Sequence, residues 1–138
     1  MERVSSLHGR RIFVVEDNLE NRMIMRLLLT HHGARVDFDI WGRNTLSRLQ
    51  AFAPVDIILM DLMLGGAHGG DIFDMIRADP QFAQVPIVAV SASDPTQAIP
   101  MCRRKGFAGF IAKPVDDDLF PQQLIRILNH ENVWYVGA

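Results

Sequence analysis

Val55-Asp56-Ile57-Ile58-Leu59-Met60-Asp61-Leu62 is the stretch that decides the fold. The run from Ile57 to Met60 is too short for a stable helix and does not alternate with polar residues. An unbroken apolar run of this kind marks a strand covered on both faces, as in a parallel sheet. Parallel neighbours need crossover connections of a dozen or more residues, usually helical. Helices and further apolar runs should therefore flank it.

They do. Upstream lie Ile12-Phe13-Val14-Val15 and the segment from Ala34 to Phe38, and downstream lie Ile87-Val88-Ala89-Val90 and the segment from Phe107 to Ala112. Between the first two, Leu19, Met23 and Leu27, with Ile24 and Leu28, recur at helical spacing behind an Asn18 cap and stop at Gly33. A second helix is expected from Trp41 to Phe52, with Trp41, Leu46, Leu49 and Phe52 near one stripe, ending before Pro54. A third runs from about Gly70 to Ala78, with Ile72, Phe73 and Ile76 inward. The fourth should start late or kink, because Asp94-Pro95 reads as cap plus first turn while Pro100 then falls inside. The fifth spans Asp116 to His130, with Leu119, Phe120, Leu124, Ile127 and Leu128. Strand and helix alternate, so a (βα)₅ unit of α/β class occupies residues 10–130. Residues 1–9 form an N-terminal extension, and 131–138, with Val133-Trp134-Tyr135-Val136, a C-terminal tail outside the unit.

Composition narrows the function. The chain has 138 residues, 49% hydrophobic and 22% charged, with a net charge of -2, the profile of one globular domain. The basic runs Arg10-Arg11 and Arg103-Arg104-Lys105 are too short to line a groove for nucleic acid, so no nucleic-acid partner is expected. No apolar run is long enough to cross a bilayer, and the N-terminus lacks the apolar stretch of a signal peptide. Cys102 stands alone, which excludes an internal disulfide. A cytoplasmic protein without membrane contact is the expectation.

In an open parallel sheet, ligands bind outside the carboxyl ends of the strands, near the point where strand order reverses. The polar residues of this chain gather there. Glu16 and Asp17 end the first run, Asp61 the third, Ser91 the fourth, and Lys113 follows the fifth. Singly, each is an ordinary helix cap or solvated loop residue. Together they suit phosphoryl transfer to a carboxylate, where a dianionic donor approaches a negative nucleophile and repulsion must be cancelled. Mg²⁺ takes hard oxygen ligands, which Glu16, Asp17 and Asp61 would supply. Lys113 would neutralise a phosphoryl oxygen and Ser91 would donate to another, leaving Asp61 as nucleophile.

Glu16-Asp17-Asn18, Ile58-Leu59-Met60-Asp61-Leu62, Ser91-Ala92 and Gly109-Phe110-Ile111-Ala112-Lys113-Pro114 together resemble the receiver domains of two-component response regulators, of the chemotaxis-regulator type. The resemblance spans nearly the whole chain. It implies a flavodoxin-like, doubly wound five-stranded parallel sheet of order 2-1-3-4-5. It further implies a single-domain response regulator, a signalling switch rather than an enzyme, whose only chemistry is Mg²⁺-dependent self-phosphorylation and autodephosphorylation. Asp61 would take a phosphoryl group from the phosphohistidine of a sensor histidine kinase or histidine phosphotransfer protein. The Met63 backbone carbonyl would be a further metal ligand, Lys113-Pro114 a cis peptide, and Ser91 with Phe110 the switch pair that changes binding of a downstream protein target. A monomer or weak dimer is implied.

Departures from that pattern are specific. Leu64-Gly65-Gly66-Ala67-His68-Gly69-Gly70 stands where relatives often carry proline and methionine, and predicts a mobile loop. It lacks the Gly-Lys-Ser/Thr ending of a phosphate-cradling P-loop. Phe110 replaces a frequent tyrosine, so its inward and outward states differ in packing alone. A haloacid-dehalogenase type of phosphatase, which also forms an aspartyl phosphate, wants an acid two residues after the nucleophile and meets Met63 instead. A degenerate scaffold is disfavoured by the intact acidic, hydroxyl and lysine set, and a colourless preparation would remove the alternative of a flavin-binding relative of the same fold.

Overall fold

A computed structural model describes residues 3–41 and 44–137. Residues 1–2, 42–43 and 138, which fall in the expected extension, second helix and tail, lie outside the described residues. The elements run β1 (Arg11–Val15), α1 (Leu19–His31), β2 (Arg35–Asp39), α2 (Thr45–Phe52), β3 (Ile57–Met60), β4 (Met63–Leu64), β5 (Ala67–His68) and α3 (Gly69–Arg77). A 3₁₀ turn (Pro80–Phe82) leads to β6 (Ile87–Ser91), α4 (Pro95–Lys105), β7 (Gly109–Ala112), α5 (Leu119–Leu128) and β8 (Val133–Tyr135).

The unbroken apolar runs are the central strands, as their composition requires. Ile57 to Met60 are buried end to end, flanked in parallel by β1 and β6. Each side of the sheet carries its own apolar core. Phe13, Ile58, Met60, Ala89 and Phe110 face one, and Ile12, Val14, Leu59, Val88 and Ile111 the other. The doubly wound α/β class follows, with the five long strands in the expected order, here β2-β1-β3-β6-β7.

A sixth strand extends that sheet, so the tail is not outside it. β8 pairs in parallel with β7, setting Gly109 opposite Val133 and Phe110 opposite Trp134. Glycine is what admits it, because a Cβ at Gly109 would lie 2.5 Å from the Val133 carbonyl oxygen. Arg103 of α4 then stacks 4.6 Å from the Trp134 ring centroid. The extension is also part of the domain. Leu7 is buried in the second core, and Val4 and Asn129 exchange hydrogen bonds of 2.7 and 2.8 Å.

Helix α1 begins as expected, Asn18 accepting a 2.9 Å bond from the Asn21 N–H. Its inward face is not the expected one. Met25 and Leu29 enter the core, whereas Leu19, Met23, Ile24 and Leu27 lie in solvent, Leu27 at 71% exposure. Trp41 is outside α2, with a φ of 65°, though it still packs on the first core. α4 starts at Pro95 without delay under its Asp94 cap, and Pro100 sits within it on an exposed position. Thr96, whose carbonyl loses its partner there, is exposed as well, so water can take that bond.

Cys102 is fully buried in the first core, and burial pushes its thiol up to about 11. Almost none is thiolate near neutral pH. Iodoacetamide should therefore alkylate Cys102 only after denaturation, and native labelling at the rate of a free cysteine would contradict this packing.

Candidate functional site

The carboxyl ends of β1, β3, β6 and β7 bring Glu16, Asp17, Asp61, Ser91 and Lys113 to one edge, whereas Phe110 lies within β7. Strand β1 runs directly into Glu16 and Asp17, and β3 into Asp61, whose N–H donates to the Val15 carbonyl at 3.1 Å. Glu16, Asp17 and Asp61 each offer an oxygen within 4.8 Å of the others. Glu16 is buried, Asp61 nearly so, and Asp17 is exposed.

Like charges this close require a counter-charge, and Lys113 supplies it. Its Nζ donates to Glu16 Oε1, and to Asp61 Oδ2 at 2.9 Å. Burial alone would lower the ammonium pKa. Hydrogen bonds and charge from Glu16 and Asp61 outweigh it and hold the pKa above the usual lysine value. The Lys113–Pro114 peptide bond is cis. The second Glu16 oxygen, Oε2, accepts the Asn18 N–H at 3.2 Å, and the Arg22 guanidinium donates to the Glu16 carbonyl at 2.9 Å.

Ser91 is fully buried at the end of β6. Its hydroxyl and that of Ser93 are 2.9 Å apart, and the Ser93 N–H donates to Ser91 Oγ at 3.1 Å. Asp61, Met63, Ser91 and Ser93 line one open cleft of about 390 Å³. Phe110 lies fully buried on β7.

The glycine run, expected as a mobile loop, holds a short hairpin. β4 and β5 form a two-residue hairpin with Gly65-Gly66 at its turn, Met63 opposite His68, and Gly66 at a φ of 76°. The Gly65 N–H donates to Asp17 Oδ2 at 3.0 Å, and the Met63 N–H to Asp61 Oδ1 at 3.1 Å, so the hairpin is tied to two of the three carboxylates. His68 Nδ1 accepts the Gly70 N–H at 3.0 Å and caps α3. Sequence reasoning missed Gly65 and Ser93. A Gly-Gly pair between short apolar segments, and a second serine two residues after Ser91, were the available signals.

An all-oxygen trio suits a hard divalent cation, and Mg²⁺ bound by a few carboxylates normally completes its octahedron with water. Fold and site thus define a doubly wound α/β domain built around an aspartate, a carboxylate pair and a lysine. The response regulator receiver domain model matches residues 12–125, and the chain belongs to that family. Over 115 residues it is 28% identical to the CAI-1 autoinducer sensor kinase/phosphatase CqsS of Vibrio cholerae, covering 83% of this chain and 17% of that protein. It spans under a fifth of the first relatives it matches. By contrast, the rice two-component response regulator ORR12, 28% identical over 119 residues, is covered to 95% and covers 86% of this chain.

Solved structures agree on the fold. The receiver domain of sensor histidine kinase PA1611 from Pseudomonas aeruginosa superposes with a TM-score of 0.75 at 28% identity, covering 89% of this chain and 99% of that one. That structure has a magnesium ion coordinated in its active-site cleft. The chemotaxis response regulator CheY4 of Vibrio cholerae gives 0.78 at 21% identity, covering 86% and 98%.

Proposed function

We propose that this chain is a phosphorylation switch in which Asp61 accepts a phosphoryl group from a phosphohistidine donor, with Mg²⁺ bound by Glu16, Asp17, Asp61 and the Met63 carbonyl. The observation that carries this reading is the bridging ammonium. Lys113 contacts both Glu16 and Asp61, so a cation already stands where the incoming phosphoryl charge must be offset. The N–H and C=O of one strand residue point to the same side, and the Met63 N–H is turned toward Asp61, which supports its carbonyl as a ligand. Bound Mg²⁺ would screen the nucleophile from the dianionic donor. Ser91 would give up Ser93 and donate to the new acyl phosphate. Met63 stands two residues after Asp61, where a haloacid-dehalogenase type of phosphatase wants its acid, which supports a switch over a phosphatase.

Incubation with acetyl phosphate and Mg²⁺ should add one phosphoryl group to Asp61, located by intact mass and peptide mapping, and chelation should prevent it. Stoichiometric labelling at another residue would reject the assignment.

The exposed stripe of α1 supports a helical protein donor. Leu19, Met23 and Leu27 recur one turn apart, and a groove of about 540 Å³ bordered by Ile24, Met25, Lys113 and Pro114 leads from that helix toward the site. Met23→Glu with Leu27→Glu should slow transfer from a phosphorylated histidine phosphotransfer protein about tenfold or more, the scale of losing an interface anchor. Labelling by acetyl phosphate should be unaffected. Equal slowing of both donors would remove the helix from donor recognition.

A further inference from the structure

With β8 in place, β7 is an interior strand, and this changes the surroundings of Phe110. The register places Ala89 opposite Phe110 on one side and Trp134 opposite it on the other. Residues paired across adjacent strands share a sheet face, with backbones about 4.8 Å apart. Trp134, Phe110 and Ala89 therefore form one row on the first core, to which Ala98 and Cys102 of α4 also belong. Ser91 stands on the same face, two residues beyond Ala89 and opposite Ala112.

Were β7 the edge, the Phe110 ring would have a sideways route to water. Instead, a half-buried indole fills that route, held from above by Arg103. Phe110 has no hydroxyl, so an outward ring gains no hydrogen bond to offset the packing it loses. Gly109 fixes the arrangement by letting β8 approach where a side chain would collide.

We infer that Trp134 is a positioning residue of the Ser91–Phe110 switch: it closes the outward path of Phe110, so docking of β8 and phosphorylation of Asp61 stabilise each other. The inference rests on Asp61 being the phosphoacceptor. When the Ser91 hydroxyl turns from Ser93 toward an acyl phosphate, the space it leaves in this close-packed face is covered only while Phe110 stays inward. An inward ring in turn keeps the place beside Trp134 filled in that row. Such coupling is reciprocal, and coupling factors commonly run from about 5- to 150-fold.

Hydrogen exchange on the full chain tests this directly, with Mg²⁺ and beryllofluoride standing in for the phosphoryl group. Exchange of the Val133 and Tyr135 amides, which face β7 in the ladder, should slow about tenfold on adding beryllofluoride; unchanged exchange overturns the inference. Trp134→Ala should weaken equilibrium binding of beryllofluoride about tenfold, and Trp134→Phe should restore it, since a flat ring suffices. Equal affinity of all three chains would also overturn it. If the unaltered chain takes up neither phosphoryl nor beryllofluoride, the phosphoacceptor reading itself falls, a result distinct from uptake without protection of β8.

Discussion

An Asp61→Asn chain should take up phosphoryl from acetyl phosphate at least about 10³-fold more slowly than the unaltered one, since removing the nucleophile from covalent enzymes costs up to about 10⁶. The amide is nearly isosteric but has no anionic oxygen to attack phosphorus. The fold should survive. The oxygen of the substituted amide can still accept the Met63 N–H that Asp61 Oδ1 accepts now; its NH2 cannot accept the Lys113 bond that Oδ2 accepts, but Lys113 keeps its bond to Glu16. Removing one charge from three clustered carboxylates also relieves repulsion, so urea stability should stay within about 1 kcal/mol. Intact mass and urea unfolding on the same preparation read both. Undiminished labelling of a folded Asp61→Asn chain would move the nucleophile elsewhere.

Lys113→Met should show the opposite balance, with stability failing alongside phosphorylation. Lys113 is the counter-charge for a Glu16 side chain that is only 3% exposed. Removing one partner of a buried pair commonly costs about 3–5 kcal/mol, because the remaining charge has lost its solvent and its neutraliser together. Without divalent cation, the urea midpoint should fall by an amount equivalent to about 3 kcal/mol. Mg²⁺ should then stabilise the variant more than the unaltered chain, since the cation meets more uncancelled charge. Phosphorylation should remain slow even with Mg²⁺, because no ammonium offsets the incoming oxygens. A variant as stable as the parent in chelator would show that Glu16 does not depend on Lys113.

The central sheet and the carboxylate edge were legible because their signals are local. An unbroken apolar run such as Ile57 to Met60 has few ways to be buried, and a polar residue at the end of each strand must emerge on the ligand-binding edge. The face of α1 was not legible. Periodicity in Leu19, Met23 and Leu27 reveals a stripe but not whether core or another molecule covers it, and the core took Met25 and Leu29 from the opposite side. β8 is three residues long, too short for any periodicity, and exists through its pairing with β7. The glycine run illustrates a different gap. Gly65 and Gly66 permit many conformations, and bonds from the Gly65 N–H to Asp17 and from the adjoining Met63 N–H to Asp61 select one.

Gly109 carries a consequence for how this sequence can vary. While β8 is docked, any larger residue at 109 meets the Val133 carbonyl, so the position is closed to substitution. In a chain cut after Asn132, that obstacle is gone and a β-branched residue should suit the strand better than glycine. Gly109→Val should therefore be harmful in the full chain and neutral or beneficial in the shortened one, a reversal of sign rather than of size. Tail and glycine form one epistatic unit, each able to change freely only after the other has gone.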